Sequence, residues 1–409
     1  MSVVNRYGIL GALMKLRGLD LPTADLDRLR AAVNPGTVAF LGPAHPEFLT
    51  DWMVDKELSR RVSPLMAHWA SYEIVNASPL VRSFWLANNL IANVPGGGGK
   101  AYSVAWAERG HGVLLHPEGT ATWQGERVGT LLPGIADMAW DAAARLKARG
   151  DPRPVWLVPV VWQLEFTGDA SAGLLREIAR IARGLALPPG RGALAQRFAA
   201  LMRALLVRQC GRLGLTAPRL AAGSDGGDYF AAQAGAIDEL RGTLAERYGA
   251  LDPDLTRAQF QLRKAMRERT TTDPDGVRRD RGRLLELVRL AGFDPALYDR
   301  PRLTQERLAE VLKRTRSSLL TRGFGNVLQN TVPVAVAPRV VHVRAPEPIA
   351  VHDVLAAATP DGGSRARVAL LADHRSRLQG ALDSLSRERA PRTAPRAVEN
   401  ALWSGSRLH

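Results

Sequence analysis

Two stretches of the chain set a histidine and acidic residues directly after an apolar run. In the first, "TVAFLG" gives way to "PAHPEFLTDW", so His45 is followed by Asp51 and, one helical turn further on, by Asp55. In the second, "HGVLLH" runs into "PEGTATWQGE", which gathers Glu118, Gly119 and Thr120 at a sharp polar turn. A histidine held in one tautomer by a carboxylate is a base able to take a proton from a hydroxyl near neutral pH. That is the chemistry expected of His45, with Asp51 or Asp55 orienting its ring. Gly119 lets the backbone approach a ligand closely. His116, just before the second turn, is expected to be structural, and the remaining histidines show no metal-ligand spacing. The single cysteine, Cys210, excludes an intramolecular disulfide and any multi-thiolate zinc site, so no metal is expected.

The elements that must position these residues alternate. After a segment 1–34 read as helical come the strand "TVAFLG", a helical stretch over 56–92, the turn "NVPGGGGK" and the helix "AYSVAWAERG". The strand "HGVLLH", the helix "GIADMAWDAAARLKARG" and the strand "VWLVPVVW" follow. Strands alternating with helices predict an α/β domain over 35–165 with a mixed, largely parallel sheet flanked by helices. Ligands of such sheets gather beyond the C-terminal strand ends, which brings the two polar loops side by side. Residues 166–330 change to Arg-rich amphipathic helices and read as a helical insertion. Strand character returns over 331–360 as late strands of the first sheet, and 361–409 reads as a helix near 365–385 with a fraying tail.

The order "AHPEFLTD", "NVPGGGGK", "LLHPEGTATWQGE", "LVPVVW" resembles the glycerolipid acyltransferases of the lysophosphatidate and glycerol-3-phosphate acyltransferase type. The returning "RVVHVRAPEPIAV" is similar to that family's closing strand, with Pro346 in place of a glycine. The resemblance spans about 35–165 and 335–352. It implies the family's fold and transfer of a fatty acyl group from acyl-CoA or acyl carrier protein, as co-substrate and without a further cofactor, to a lipid hydroxyl. It implies His45 as general base, Asp51 as its orienting partner, and Glu118, Gly119 and Thr120 as walls of the acceptor pocket. Five residues separate His45 from Asp51 where the family has four, and Thr50 stands at the family's Asp position, which keeps Asp55 in view. The family's phosphate-binding arginines are missing; Lys100, with the amides after Gly96 to Gly99 (Gly98 and Gly99 among them) at a helix N-terminus, and Arg127 and Arg109 are the substitutes expected for a phosphate-bearing acceptor. An acceptor without phosphate, or a degenerate fold that binds lipid or acyl carrier without turnover, are the alternatives.

The net charge of +15 suggests an anionic partner, though only six of the 55 basic residues are lysines. No zinc finger, helix-turn-helix or aromatic-interleaved sheet accompanies the charge, so nucleic acid is not expected. "PGGGGK" fails as a P-loop, because Val94 stands where the first glycine belongs and Ala101 where the Ser or Thr belongs. The N-terminus lacks the pattern of a signal peptide, and no apolar run approaches a membrane span, so a cytoplasmic protein touching the membrane peripherally is expected. In "ALAQRFAALMRALLVRQCGRLGL", Leu194, Phe198, Leu201 and Leu205 share one face with Arg197 and Arg208 at its rim. That face fits an anionic bilayer and equally a packed helix with snorkelling arginines.

Overall fold

The computed structural model describes residues 11–12, 14–47, 50–76, 78–94, 96–216, 229–323, 335–359 and 362–403. The chain divides into two compact units, Met1–Thr167 with Val332–Pro391, and Gly168–Thr331 with Arg392–His409.

The first unit is α/β. Its strands are β1 (Leu16–Asp20), β2 (Val38–Pro43), β3 (Ala67–Ser71), β4 (Leu90–Asn93), β5 (Val113–Leu114), β6 (Val155–Phe166), β8 (Arg339–Arg344) and β9 (Ile349–Ala350). They form one sheet in the order β1-β8-β6-β2-β5-β3-β4, with β9 also on β6. Every pairing is parallel except those of β6 with β8 and with β9. Helices α1 (Thr23–Ala32), α2 (Thr50–Val62), α5 (Gly99–Ala107), α6 (Gly134–Arg149), α14 (Val351–Ala357) and α15 (Gly363–Thr393) flank it, and the short α3 (Tyr72–Val75) and α4 (Pro79–Leu86) bridge β3 to β4.

Alternation along the central strands builds two cores. Val38 and Phe40 of β2 pack with Val104 of α5 and Ile135, Ala139 and Leu146 of α6, while Ala39 and Leu41 face Leu29 of α1 and Val54 and Leu58 of α2. Such doubly buried strands read as continuous apolar runs, which is why "TVAFLG" and "VWLVPVVW" stand out. Helix α15 lays Leu378 and Leu382 on Ala44, Val128, Leu131 and Val161.

Three expectations need correction. The segment 1–34 is not helical throughout: Leu16–Asp20 is a strand, paired in parallel with β8 more than 300 residues away, a tertiary contact that local propensity cannot report. Its first ten residues lie outside the described residues. The stretch 56–92 contains β3 and β4, because α2 ends at Val62 and the Ser63–Pro64 break releases the chain into the sheet. The tail does not fray after 385: α15 continues to Thr393, and Arg389, 5% exposed, donates to Gln163 Oε1 at 2.7 Å. Of the returning segment, residues 331–334 lie outside the described residues.

The second unit is helical: α7 (Ser171–Gly184), α8 (Leu194–Leu213), α9 (Tyr229–Tyr248), α10 (Leu255–Arg269), α11 (Pro274–Ala291), α12 (Pro295–Tyr298) and α13 (Gln305–Leu319), with β7 (Arg302–Leu303) pairing antiparallel with β10 (Val398–Glu399). The apolar face of α8, including Leu194, Phe198, Leu201 and Leu205, is buried. It is a packed face rather than a bilayer-lying one. Among the described residues no helix is long and apolar enough to cross a membrane.

Candidate active site

Helix α2 carries Asp51, Asp55 and Ser59 at successive i, i+4 positions, all on its buried side. Each meets a histidine from a different strand of the adjacent trio β2, β5 and β3. Asp51 Oδ2 lies 2.5 Å from Nε2 of His45, which follows β2. Asp55 Oδ2 lies 2.9 Å from Nε2 of His116, which follows β5. Ser59 Oγ lies 2.7 Å from Nε2 of His68, on β3 level with Leu114. The rings of His45 and His116 stack, with centroids 4.3 Å apart and an interplanar angle of 23°.

The five-residue spacing between His45 and Asp51 closes with Asp51 at the start of α2. The Asp51 amide donates to the Glu47 carbonyl at 3.2 Å, so Asp51 sits in the first turn of α2, where exposed amides favour a carboxylate. Trp52 N also donates to Asp51 Oδ1 at 2.6 Å. Burial pushes the Asp51 carboxyl up, but the imidazole of His45 outweighs it, so the carboxyl lies below its ordinary range. Burial raises the Asp55 carboxyl. His116 is lifted to about 9: burial opposes its charge, and the Asp55 carboxylate beside it prevails. His68 is held well below its ordinary value by burial, then by Lys56 and His116, and is neutral.

Glu118, 3% exposed, ties the two loops together. His45 N donates to its Oε2 at 2.6 Å and Gly129 N to its Oε1 at 2.5 Å. Burial raises its carboxyl against those two donors. Thr122 N donates to the His45 carbonyl at 2.9 Å, closing the turn from the other side. Gly119 adopts φ +71° beside Leu132, a left-handed conformation that suits glycine, and Thr120 is exposed.

Arg339 of β8 completes the scaffold. Its guanidinium grips Glu47 with two bonds of 2.9 and 2.8 Å and donates to Thr50 Oγ1 at 3.3 Å, so it holds both ends of the segment joining His45 to Asp51.

The structure therefore gathers His45, Asp51, Glu118 and Gly119 as the sequence predicts, assigns Asp51 to His45, and gives Asp55 to His116. It does not bring the glycine turn into the same cluster. Gly98 caps α5, Gly99 lies against Trp69, and Lys100 pairs with Asp137 at 3.6 Å. These residues follow β4, three strand spacings from β2, or roughly 14 Å. Arg127 is half-buried in the loop that Gln163 and Gln379 hold through the carbonyls of Gly125 and Glu126. Sequence reasoning missed the His116–Asp55 pair and Arg339. The i, i+4 acids of α2 were a visible signal for the first; nothing local points to the second.

His45, Asp51 and His116 offer donor atoms within 4.8 Å of one another. Ligands on one tetrahedral cation stand about 3.3 Å apart, and the 2.5 Å contact of His45 with Asp51 is instead that of a shared proton. His45 Nδ1 is buried and has no hydrogen-bond partner among the described residues. The arrangement can thus hold a proton on Nε2 and leave a lone pair on Nδ1. No protein-family model matches the chain, and no curated protein matches it.

Proposed function

We propose that the protein is an O-acyltransferase of the glycerolipid acyltransferase type, moving a fatty acyl group from an acyl-CoA or acyl carrier protein thioester to the hydroxyl of a lysophospholipid or glycerol phosphate. The observation that carries this reading is His45 Nδ1, buried and unpartnered at the C-terminal edge of the central strands while Asp51 holds Nε2. In this reading the substrate hydroxyl donates to that nitrogen. The order of the sequence blocks supplies the reaction class.

Nδ1 takes the acceptor's hydroxyl proton as the oxygen attacks the thioester carbonyl carbon. Asp51 remains a carboxylate and stabilises the imidazolium. The tetrahedral intermediate collapses with loss of the C–S bond, the thiolate recovers the proton from Nδ1, and the products are an ester and a free thiol. Glu118 keeps the His45 backbone in place during the cycle. An apolar surface adjoins the site: Trp52, next to Asp51, packs edge-on against Phe84 and Trp85 of α4, whose Leu80 and Leu86 are 81% and 49% exposed. Exposed side chains of this kind suit acyl chains or a lipid surface.

One observation favours a second acceptor class within the same chemistry. Lys100 is engaged by Asp137 and stands three strands from β2, which suits an acceptor without phosphate. The test is transfer of a radiolabelled acyl group from both donors to lysolipids with and without phosphate, using wild-type and His45→Ala protein. Transfer abolished by the substitution supports the reading. Donor binding without transfer to any acceptor would instead identify a non-catalytic lipid or acyl-carrier-binding module.

A further inference from the structure

The proposed mechanism uses one histidine, yet two histidine–aspartate pairs are packed ring on ring. The proton inventory of the second pair is constrained. His116 Nδ1 faces the carbonyl of Pro43 at 3.2 Å, which can only accept, so Nδ1 carries hydrogen. Nε2 faces Asp55, so the pair shares one further proton. Both groups are buried, at 9% and 3% exposure. The elevation of His116 to about 9 places that proton on the ring. His116 is then a cation with both nitrogens spent on protein acceptors, leaving it no donor for a substrate.

We infer that His116 is a positioning residue: clamped by Asp55 and the Pro43 carbonyl, it supports the His45 ring from one face and sets the pH range over which His45 accepts a proton. The inference rests on the proposed role of His45 as base. Stacking lies against the face of the His45 ring and not along the in-plane direction of the Nδ1 lone pair, so support and reactivity do not compete. The clamp also resists rotation of His45, which would exchange the nitrogen on Asp51.

Charge supplies the second effect. The groups around the stacked rings are Asp51 and Asp55 from α2, His68 from β3 and Glu118 from the loop that carries His116, with Lys56 of α2 one step further out beside Asp55 and His68. Glu47 is matched by Arg339. Proton uptake by His45 places a second positive charge 4.3 Å from His116, while the countercharge of Asp55 lies one hydrogen-bonded residue further away. The nearer repulsion exceeds the more distant attraction. With the effective dielectric of protein sites, the difference is on the order of one pH unit. Asp51 attracts the proton and His116 repels it.

The test is histidine NMR on the full chain with ring-labelled histidine, the His45 signal being assigned by its loss in His45→Ala. In His116→Gln, and in Asp55→Asn, where burial without the carboxylate strips the His116 ring of its proton, the His45 titration midpoint should rise by about one unit, and the acidic limb of kcat/KM should move with it. Unchanged or lowered midpoints in both folded variants would overturn the inference. A second arm needs no destabilising substitution: in wild-type protein the His116 ring should stay protonated up to about pH 9, and titration below pH 7 would refute its cationic state. The resonance shifts are read without turnover. Absence of acyl transfer with the shifts intact would therefore reject the proposed function and leave the coupling standing.

Discussion

Removing Arg339 tests whether the loop that carries the proposed catalytic dyad is held from the far strand. The guanidinium is 4% exposed by residue and bound to Glu47 through two bonds of 2.8 and 2.9 Å, with a further donation to the Met14 carbonyl at 3.3 Å. Arg339→Met keeps the apolar stem but strands the Glu47 carboxylate in the interior, a loss of about 3–5 kcal/mol. Arg339→Met/Glu47→Leu removes both charges and should recover much of it, giving a coupling energy of at least about 2 kcal/mol. Urea unfolding followed by tryptophan fluorescence supplies the midpoints, with the slope checked for each variant because the chain has two units. Transfer activity of the single variant should fall at least about tenfold, since a loosened Glu47 and Thr50 release both His45 and Asp51. A single-variant loss below about 1 kcal/mol, or strictly additive substitutions, would refute the clamp.

Further expectations follow from the same geometry. Gly42→Ala places a methyl 2.3 Å from His374 Nε2, a ring that is buried and itself bonded to the Gly42 carbonyl at 2.9 Å, so thermal or urea unfolding should show a loss of about 2–4 kcal/mol. His116 is raised from 6.5 to about 9, so its pairing stabilises fully below pH 6.5 and is lost as pH climbs through 9; the urea midpoint should fall over that window less in His116→Gln than in wild type. His374 is lowered from 6.5 to about 4, chiefly by burial, so its contribution is intact above 6.5 and lost as pH falls to 4; His374→Gln should blunt that acid loss in the same assay. Leu80→Asp should weaken binding to anionic vesicles roughly tenfold in sedimentation while leaving transfer to a water-soluble acceptor intact.

Much of the sheet domain was legible because central parallel strands are apolar on both faces and stop at polar turns. Residues 37–42 and 155–162 show this directly. The edge strands were not: "LRGLD" and "LIAN" are short and are strands only because β8 and β3 pair with them. The His45, Asp51 and Glu118 cluster was legible because each residue stands one short loop beyond a readable strand. The pairing of His116 with Asp55 was not legible because a lone histidine carries no information about its partner until α2 is placed. Arg339 lies 292 residues from Glu47, and only the folded sheet brings them together. Lys100 looked like an anion site on helix-terminus grounds, yet local motif reading does not give strand order, and strand order puts it three strands away.

The central claim is most directly tested by thiol release from an acyl thioester, measured with and without a lysolipid acceptor, in wild type, His45→Ala and Asp51→Asn. Acceptor-dependent thiol release, with ester formed in equal amount and both substitutions reducing it at least about a hundredfold, is the predicted result. Release that needs no acceptor hydroxyl, or that survives loss of His45, would contradict direct transfer by this dyad.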